Sequence, residues 1–387
     1  MTRTPRDTDL HFFATAATGA EALLVDELRV LAGPGATPNG GGTRGERGGA
    51  VRPERGGASF AGPLELGYRA CLWSRVAQRV LLRLAVVPLE GDPEALWSGL
   101  AAIDWAAHLS PDGTLAVDFA GLGAPVGVTN TLFGARRTKD VIVDQLRARF
   151  GRRPSVDPAR PDVRVNVYVG RREAVVALDL SGDSLHRRGY RTPGAQAEAP
   201  LKETLAAALL LRAGWPELAA AGGSVVDPLC GSGTLPIEAA LLAADIAPGL
   251  LRDAAGADGP HWGFAGWQGH DPALWTKLVA QAGERRAAAL ARLRAARSRP
   301  GGAITPIAFG FDRDGRAVEL ARAAVARAGL VELVRVERRE LADLTRPAEL
   351  DPHAPGLIVT NPPYGHRLGA DGRSRQTGRQ ASGRAAA

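Results

Sequence analysis

The chain is short of the residues that would tie it to a metal or to an oxidising compartment. Its 387 residues include two cysteines, Cys71 and Cys230. They lie far apart, and neither belongs to a CxxC or Cys/His cluster. A disulfide scaffold and a structural zinc site are therefore not expected. The seven histidines are scattered without ligand spacing. No apolar run approaches the roughly 20 residues that a bilayer span needs. Met1 to Asp9 is charged and polar, with no apolar signal core behind it. With neither span nor signal, the expected compartment is the cytoplasm. No internal repeat is present.

What is there reads as globular. Hydrophobic residues make up 45% and charged residues 23%, ordinary values for folded domains. The length asks for two or three domains. Net charge is +7 and the sequence pI is near 10. That favours a polyanionic partner, nucleic acid ahead of a membrane surface. The signal is weak by itself, because an Arg-rich composition also follows from genomic base composition.

Periodicity divides the chain. A strand over Leu10–Ala16 precedes a helix over Ala20–Leu31, with Leu23, Leu24, Leu28 and Leu31 at helical spacing. Residues 33–62 are dominated by Gly, Pro and Arg, and read as a flexible insertion. Its RGG-like pieces could touch RNA, but a solvated loop is the favoured reading. Further elements follow: helix Leu64–Val76, strand Arg79–Val87, helix Asp92–Ala102, strand Thr114–Phe119 and helix Thr138–Phe150. Val163–Val169 and Glu173–Leu180 read as a hairpin around Gly170-Arg171-Arg172. This is a small α+β unit. A polar boundary, Ser181–Pro200, separates it from helix Leu201–Arg212 and an alternation of strands and helices. The strands are Ser224–Leu229, Ile304–Asp312, Leu333–Arg338 and Leu357–Thr360; helices start at Thr234 and at Asp314. Continuous apolar strands of this kind belong to a buried parallel sheet covered by helices on both faces.

Three motifs stand at strand ends, where open α/β sheets bind ligands. Val225–Thr234 runs strand, glycine turn, helix start, and its glycines let backbone approach a ligand. It lacks the Lys of a phosphate loop. Asp227-Pro228 flanks the turn, and an acid there can hold a cationic amine. Asp312 closes the second strand. A carboxylate there can accept from two ribose hydroxyls, although alone it reads more simply as a cap for the following helix. Asn361-Pro362-Pro363-Tyr364 follows the fourth strand. A planar exocyclic amine is a poor nucleophile, because its lone pair is delocalised. The Asn361 side-chain oxygen and the Pro362 carbonyl can accept its two N–H groups and pull the nitrogen toward tetrahedral geometry. The prolines stiffen the turn, and Tyr364 offers a stacking face for the base.

The sequence resembles, along nearly its whole length, the bacterial large-subunit ribosomal RNA guanine-N2 methyltransferase family that carries a THUMP domain. The likeness runs through Cys71-Leu72-Trp73-Ser74-Arg75, Ile103-Asp104-Trp105, Lys139–Asp144, Arg164–Val167, Leu178–Asp183, Leu185–Arg191 and Lys202–Ala208. It continues through Asp227–Thr234, Trp262-Gly263-Phe264, Gly266-Trp267 and Asn361–Tyr364. The Asn-Pro-Pro-Tyr tetrad alone is shared with N6-adenine and glutamine methyltransferases; the rest of the match is not. The resemblance implies an α/β class I (Rossmann-like) methyltransferase domain over 183–387. Ahead of it would stand a ferredoxin-like piece over 1–62 and a THUMP RNA-binding domain over 63–182. It implies S-adenosylmethionine as cofactor and 23S ribosomal RNA as partner, met before or during subunit assembly.

By motif position, Asp227, Pro228, Gly231, Ser232, Gly233 and Thr234 would line the methionine end of that cofactor. Asp312 would hold its ribose, and Glu340, where the family more often has Asp, its adenine. Asn361, Pro362, Pro363 and Tyr364 would hold the target guanine. Arg136, Arg137 and Lys139, with Arg147, Arg149, Arg152 and Arg153, make the THUMP-like region basic, either for RNA phosphates or as a solvated face. The group of Trp262, Trp267 and Trp275 reads as core packing, and the Arg-rich helix Asp271–Arg297 as solvated.

One departure stands out. From Ala370 the chain is mostly Gly, Arg, Ser, Gln and Ala, and four strands are legible where the family has seven. The expectation is a C-terminally truncated domain whose last strand is an exposed apolar edge. Three readings stay open: a guanine-N2 enzyme, an RNA-binding remnant of one, or a methyltransferase of another amine such as adenine N6. The RNA-binding half argues against the third. Guanine itself rests on the resemblance.

Overall fold

The computed structural model describes residues 9–33, 51–89, 92, 94–121, 128, 130–191, 200–255 and 259–362. The N-terminal half builds β1 (Leu10–Thr15), α1 (Glu21–Ala32), β2 (Arg52–Glu54), β3 (Gly57–Gly62), α2 (Leu64–Trp73) and β4 (Arg79–Pro88). It continues with α3 (Ala95–Ala101), β5 (Thr114–Ala120), α4 (Thr131–Phe150), β6 (Ser155–Val156), β7 (Val163–Val169) and β8 (Glu173–Asp179). These strands form one sheet in the order β2-β3-β1-β4-β8-β7-β5-β6. β4 pairs with β1 on one side and β8 on the other, both antiparallel, so the two expected N-terminal pieces share a continuous sheet.

Two expectations need correcting here. Residues 51–62 are not a loose insertion. β2 and β3 form a hairpin, β3 pairs antiparallel with β1, and Val51, Ala58 and Phe60 are buried. Phe60 stacks on Phe12 with ring centroids 5.1 Å apart. Small residues alternating with one aromatic suffice for a strand when a partner strand supplies the hydrogen bonds. Gly40–Gly42 and Gly48–Gly49 lie outside the described residues. Second, α4 begins at Thr131 rather than Thr138. Asn130 caps it, accepting from the Leu132 amide at 2.8 Å. Gly134 lets the helix lie close against β5, since a Cβ there would press on the Phe119 ring at 2.7 Å.

The second half holds α5 (Glu203–Arg212), α6 (Trp215–Ala220), β9 (Ser224–Asp227), α7 (Thr234–Ala243), α8 (Gly249–Ala254), α9 (Pro272–Ala296), β10 (Ala308–Asp312), α10 (Gly315–Ala328), β11 (Val334–Arg338) and β12 (Gly356–Ile358). Among the described residues its sheet has four strands, all parallel, in the order β11-β10-β9-β12. α7 and α10 pack on it through Ile237, Leu241, Val318, Ala321 and Val325. Among the described residues β12 pairs with β9 alone, and Ile358 is 74% exposed.

α9 is not the solvated helix its arginines suggest. Asp271 caps it through the Leu274 amide at 3.0 Å, with Pro272 in the first turn. Trp275, Leu278 and Ala282 join the N-terminal core, and Leu290 joins the core of the parallel sheet. Two of its arginines also face the fold: Arg285 lies 4.7 Å over the Trp73 ring, and Arg286 donates to the Ala328 carbonyl at 2.9 Å. No helix among the described residues is long and apolar enough to cross a membrane, and none of their His, Cys, Asp and Glu side chains cluster in a group of three that could hold a metal.

Candidate active site

The parallel register brings three strand ends to one edge. Gly310 stands beside Asp227, and Ile358 beside Val226. Asp227, Asp312 and Thr360-Asn361 therefore leave the sheet together. Just past β9, the glycine turn is pinned from behind. The Cys230 amide donates to the Phe311 carbonyl at 2.8 Å, and the Gly231 amide donates to Asp312 Oδ2 at 2.9 Å. Gly231 and Gly233 have φ of +53° and +80°, a region side chains avoid. A Cβ on Gly233 would lie 2.9 Å from the Ala321 Cβ, whereas one on Gly231 would face open space. The turn packs tightly against α10 on one side and is accessible on the other.

Asp227 is buried. Its Oδ1 accepts from the Leu229 amide at 3.1 Å. Burial pushes its carboxyl up to about 6; the Thr360 hydroxyl and the Leu229 amide resist, and the nearby Asp312 adds to the rise. A carboxylate so placed gains from a cation brought to it. Burial also pushes the Cys230 thiol well up, with Asp227 and Asp312 acting in the same sense, so it is held as an inert thiol.

Asp312 is not the cap of the next helix. That role belongs to Asp314, which accepts from the Arg316 amide at 2.9 Å. Asp312 instead joins the strand end to the glycine turn, its other oxygen accepting from the Asp314 amide at 2.9 Å. The Arg339 amide donates to the Asp312 carbonyl at 2.9 Å, which brings the end of β11 alongside. Glu340, exposed, follows it at the same edge. Asn361 is half-buried and Pro362 exposed at the edge beyond β12. Pro363 and Tyr364 lie outside the described residues.

A contact not expected from sequence holds the turn from the front. Arg191 donates to Glu203 Oε1 at 2.6 Å, Thr234 Oγ1 at 2.8 Å, the Leu201 carbonyl at 2.8 Å and Ser232 Oγ at 3.4 Å. It thus ties the turn and the start of α7 to the start of α5. Glu203 is 3% exposed; a carboxylate on the apolar face of a strongly predicted helix was the available signal. Deeper, Glu238 of α7 accepts from Tyr190 at 3.2 Å and faces Arg188 at 3.5 Å, all three buried.

The basic region is less free than its sequence suggests. Arg137 pairs with Glu94 and lies 4.3 Å over the Trp97 ring. Lys139 pairs with Asp140, Arg147 with Asp144, Arg149 with Asp104 and Arg152 with Asp112. Arg136 and Arg153 are exposed and have no carboxylate partner among the described residues.

Comparison with known proteins matches this architecture. A family model described as the RMKL-like methyltransferase domain covers residues 188–385, a THUMP domain model covers 90–179, and a RlmL ferredoxin-like domain model covers 45–81. A ribosomal RNA large subunit methyltransferase K/L of Syntrophotalea carbinolica is 48% identical over 94% of this chain and 45% of its own length. The chain spans less than half the length of the curated relatives it matches. The crystal structure of SMU.472 complexed with SAH superposes with a TM-score of 0.70 and 29% identity, covering 94% of this chain and 83% of that one. A predicted N6-adenine-specific DNA methylase from Listeria monocytogenes superposes with a TM-score of 0.70 and 27% identity, over 93% of this chain and 81% of that one.

Proposed function

The chain belongs to the RMKL-like methyltransferase family, with a THUMP domain ahead of its catalytic sheet, and from that premise we propose that it methylates the exocyclic N2 amine of a guanine in 23S ribosomal RNA, in the cytoplasm, using S-adenosylmethionine. The observation that carries the reading is the convergence of Asp227, the Gly231–Gly233 turn, Asp312 and Asn361 at one edge of the parallel sheet. The residues fit the cofactor. The buried Asp227 suits its ammonium group, the open side of Gly231 suits its amino-acid portion, and the carboxylates of Asp312 and Glu340, at the same sheet edge, suit its ribose and adenine. The cofactor supplies a methyl group on a sulfonium, ready for displacement.

The chain supplies geometry. Asn361 Oδ1 and the Pro362 carbonyl accept from the two amine N–H groups, so the nitrogen lone pair leaves conjugation and points along one line. With the cofactor bound, its methyl would pass from sulfur to that lone pair, and the surplus proton of the amine would leave to solvent beside the exposed Pro362. The base-stacking role is assigned to Tyr364, which lies outside the described residues, by its place in the Asn361–Tyr364 motif alone. The RNA is held by the THUMP domain, with Arg136 and Arg153 as the cations free to meet phosphates, and Arg137, Lys139 and Arg152 joining only by exchanging their carboxylates.

Calorimetric titration with S-adenosylmethionine, followed by transfer to undermethylated large-subunit RNA and nucleoside analysis, tests this. N2-methylguanosine is the expected product; N6-methyladenosine would overturn the base assignment. Asn361→Ala is expected to lower transfer by about 10²- to 10³-fold while leaving cofactor affinity within about twofold. Loss of cofactor binding in that variant would remove Asn361 from the role given to it.

A further inference from the structure

Between β9 and β10 the chain leaves the parallel sheet, crosses to the N-terminal one, and returns through α9. Trp262, Phe264, Trp267 and Trp275 are buried in the N-terminal core, not the catalytic one. Backbone stitches the crossing: the Gly263 amide donates to the Leu180 carbonyl at 3.1 Å, and the Gln268 amide to the His108 carbonyl at 3.1 Å. Gly263 and Gly266 are required there, since a Cβ on either would run into the backbone of Asp179 or Asp162. Arg252 donates to the carbonyls of Ser181, Ser184 and His261 at 2.9–3.0 Å. That guanidinium ties the segment after β8 to the crossing segment.

Two imidazoles also bridge the joint, one from each side. His108, from the N-terminal module, receives the Trp267 indole N–H at Nδ1, 3.0 Å away. The rings stack at 6.3 Å and 17°. Indole can only donate, so His108 Nδ1 is bare and its proton sits on Nε2. His270, from the crossing segment, has Nδ1 2.5 Å from the Tyr68 hydroxyl of α2. That hydroxyl also accepts from the Asp271 amide at 3.0 Å, and it donates its own proton to His270 when that Nδ1 is bare. The indole bond needs a neutral His108; a protonated His270 reverses the direction of its bond to Tyr68. Burial holds both histidines below their ordinary value, with Asp104 beside His108 and Asp271 beside His270 pulling the other way. Asp162, bonded to Thr114 and pressed against Gly266, is the further carboxylate of this joint.

We propose that His108 and His270 are positioning residues of an interdomain latch, which holds the RNA-binding module and the catalytic edge in one register while they are neutral and releases it when they are protonated. This rests on the function proposed above. An enzyme that grips RNA with one module and reaches a base with another depends on the distance between them, because a misplacement of about 1 Å is costly. Protonation puts a hydrogen on the Nδ1 of His108, facing the indole N–H, and leaves that donor without an acceptor; protonation of His270 forces the Tyr68 proton to turn out of the joint.

The full chain tests it through two paired variants. His108→Gln/His270→Gln keeps an acceptor at each position but cannot titrate; His108→Leu/His270→Leu keeps bulk and loses the acceptor. The readouts are amide exchange at Gln268 and Asp271, corrected for intrinsic chemistry, at about pH 8 and about pH 5, and KM and kcat for ribosomal RNA beside the cofactor Kd. The wild type is expected to lose about tenfold protection at the lower pH. The Gln pair should stay protected at both, and the Leu pair should be open at both. KM for RNA should rise about tenfold wherever the joint is open, with cofactor Kd unchanged. A Gln pair that keeps the wild-type pH response, or a Leu pair that stays protected, overturns the latch. An open joint with unchanged KM and kcat overturns the positioning role. Should the wild type fail to methylate RNA at all, the function proposed above falls, and the exchange experiment still decides the latch.

Discussion

Asp227 is placed where its own charge is penalised. A carboxyl raised from 3.8 to about 6 binds a proton more tightly folded than unfolded. Its contribution to stability is therefore full below about pH 4 and lost as pH rises through about 6. The protein without cofactor thus carries a cost of about 1–3 kcal/mol at this residue at neutral pH. Asp227→Asn keeps an oxygen for the Leu229 amide and removes the cost. Thermal unfolding without cofactor should show the variant more stable than wild type at about pH 8 and equal to it at about pH 4, while calorimetry shows weakened S-adenosylmethionine binding. A stability gap independent of pH would contradict this account. Arg191 acts at the same scale. Arg191→Lys keeps the charge but cannot reach Glu203, Thr234 and Leu201 together, and a loss of cofactor affinity of about tenfold is expected by titration.

Single elements carry two loads here. α9, about 37 Å long by its rise per residue, buries Trp275 and Leu278 in one core and Leu290 in the other. Leu278→Ala should cost about 2–4 kcal/mol in denaturant unfolding, and by loosening the joint should also accelerate amide exchange at Gln268. Normal exchange in an otherwise destabilised variant would mean that α9 supports its cores without bracing the joint. α10 does less. Its Asp314 cap and its turn at Gly329, φ +69°, set both ends, so that the helix starts close behind Asp312. Asp314→Ala should lower stability by about 1 kcal/mol.

At the scale of the whole molecule, the count of basic residues around α4 overstates what RNA would meet. Five of those cations already face carboxylates. Filter binding across a salt series should show that Arg136→Ala/Arg153→Ala reduces the salt slope by about 1–2. Arg152→Ala, which also frees Asp112, should do less. Equal effects would mean that the pairs exchange freely for phosphate.

Much of this was legible in the residues. The continuous apolar strands foretold the parallel sheet, the glycines of 231–233 foretold a turn with positive φ, and both rest on local chemistry that no distant contact alters. The dense likeness in Lys202–Ala208 and Asp227–Thr234 pointed to the family. The strand at 57–62 was hidden, because its small residues become a strand only when β1 lies beside them. Taken alone, apart from the family resemblance, Asp312 reads as a cap, because sequence cannot show that the Gly231 amide, 81 positions away, donates to its oxygen. The burial of α9, the four-acceptor grip of Arg191 and the reciprocal imidazoles of the joint are likewise long-range facts. Sequence alone determined which residue types stand at the strand ends; the tertiary structure alone decided which amides, carbonyls and rings each one meets, because those partners are brought together by packing and not by spacing along the chain.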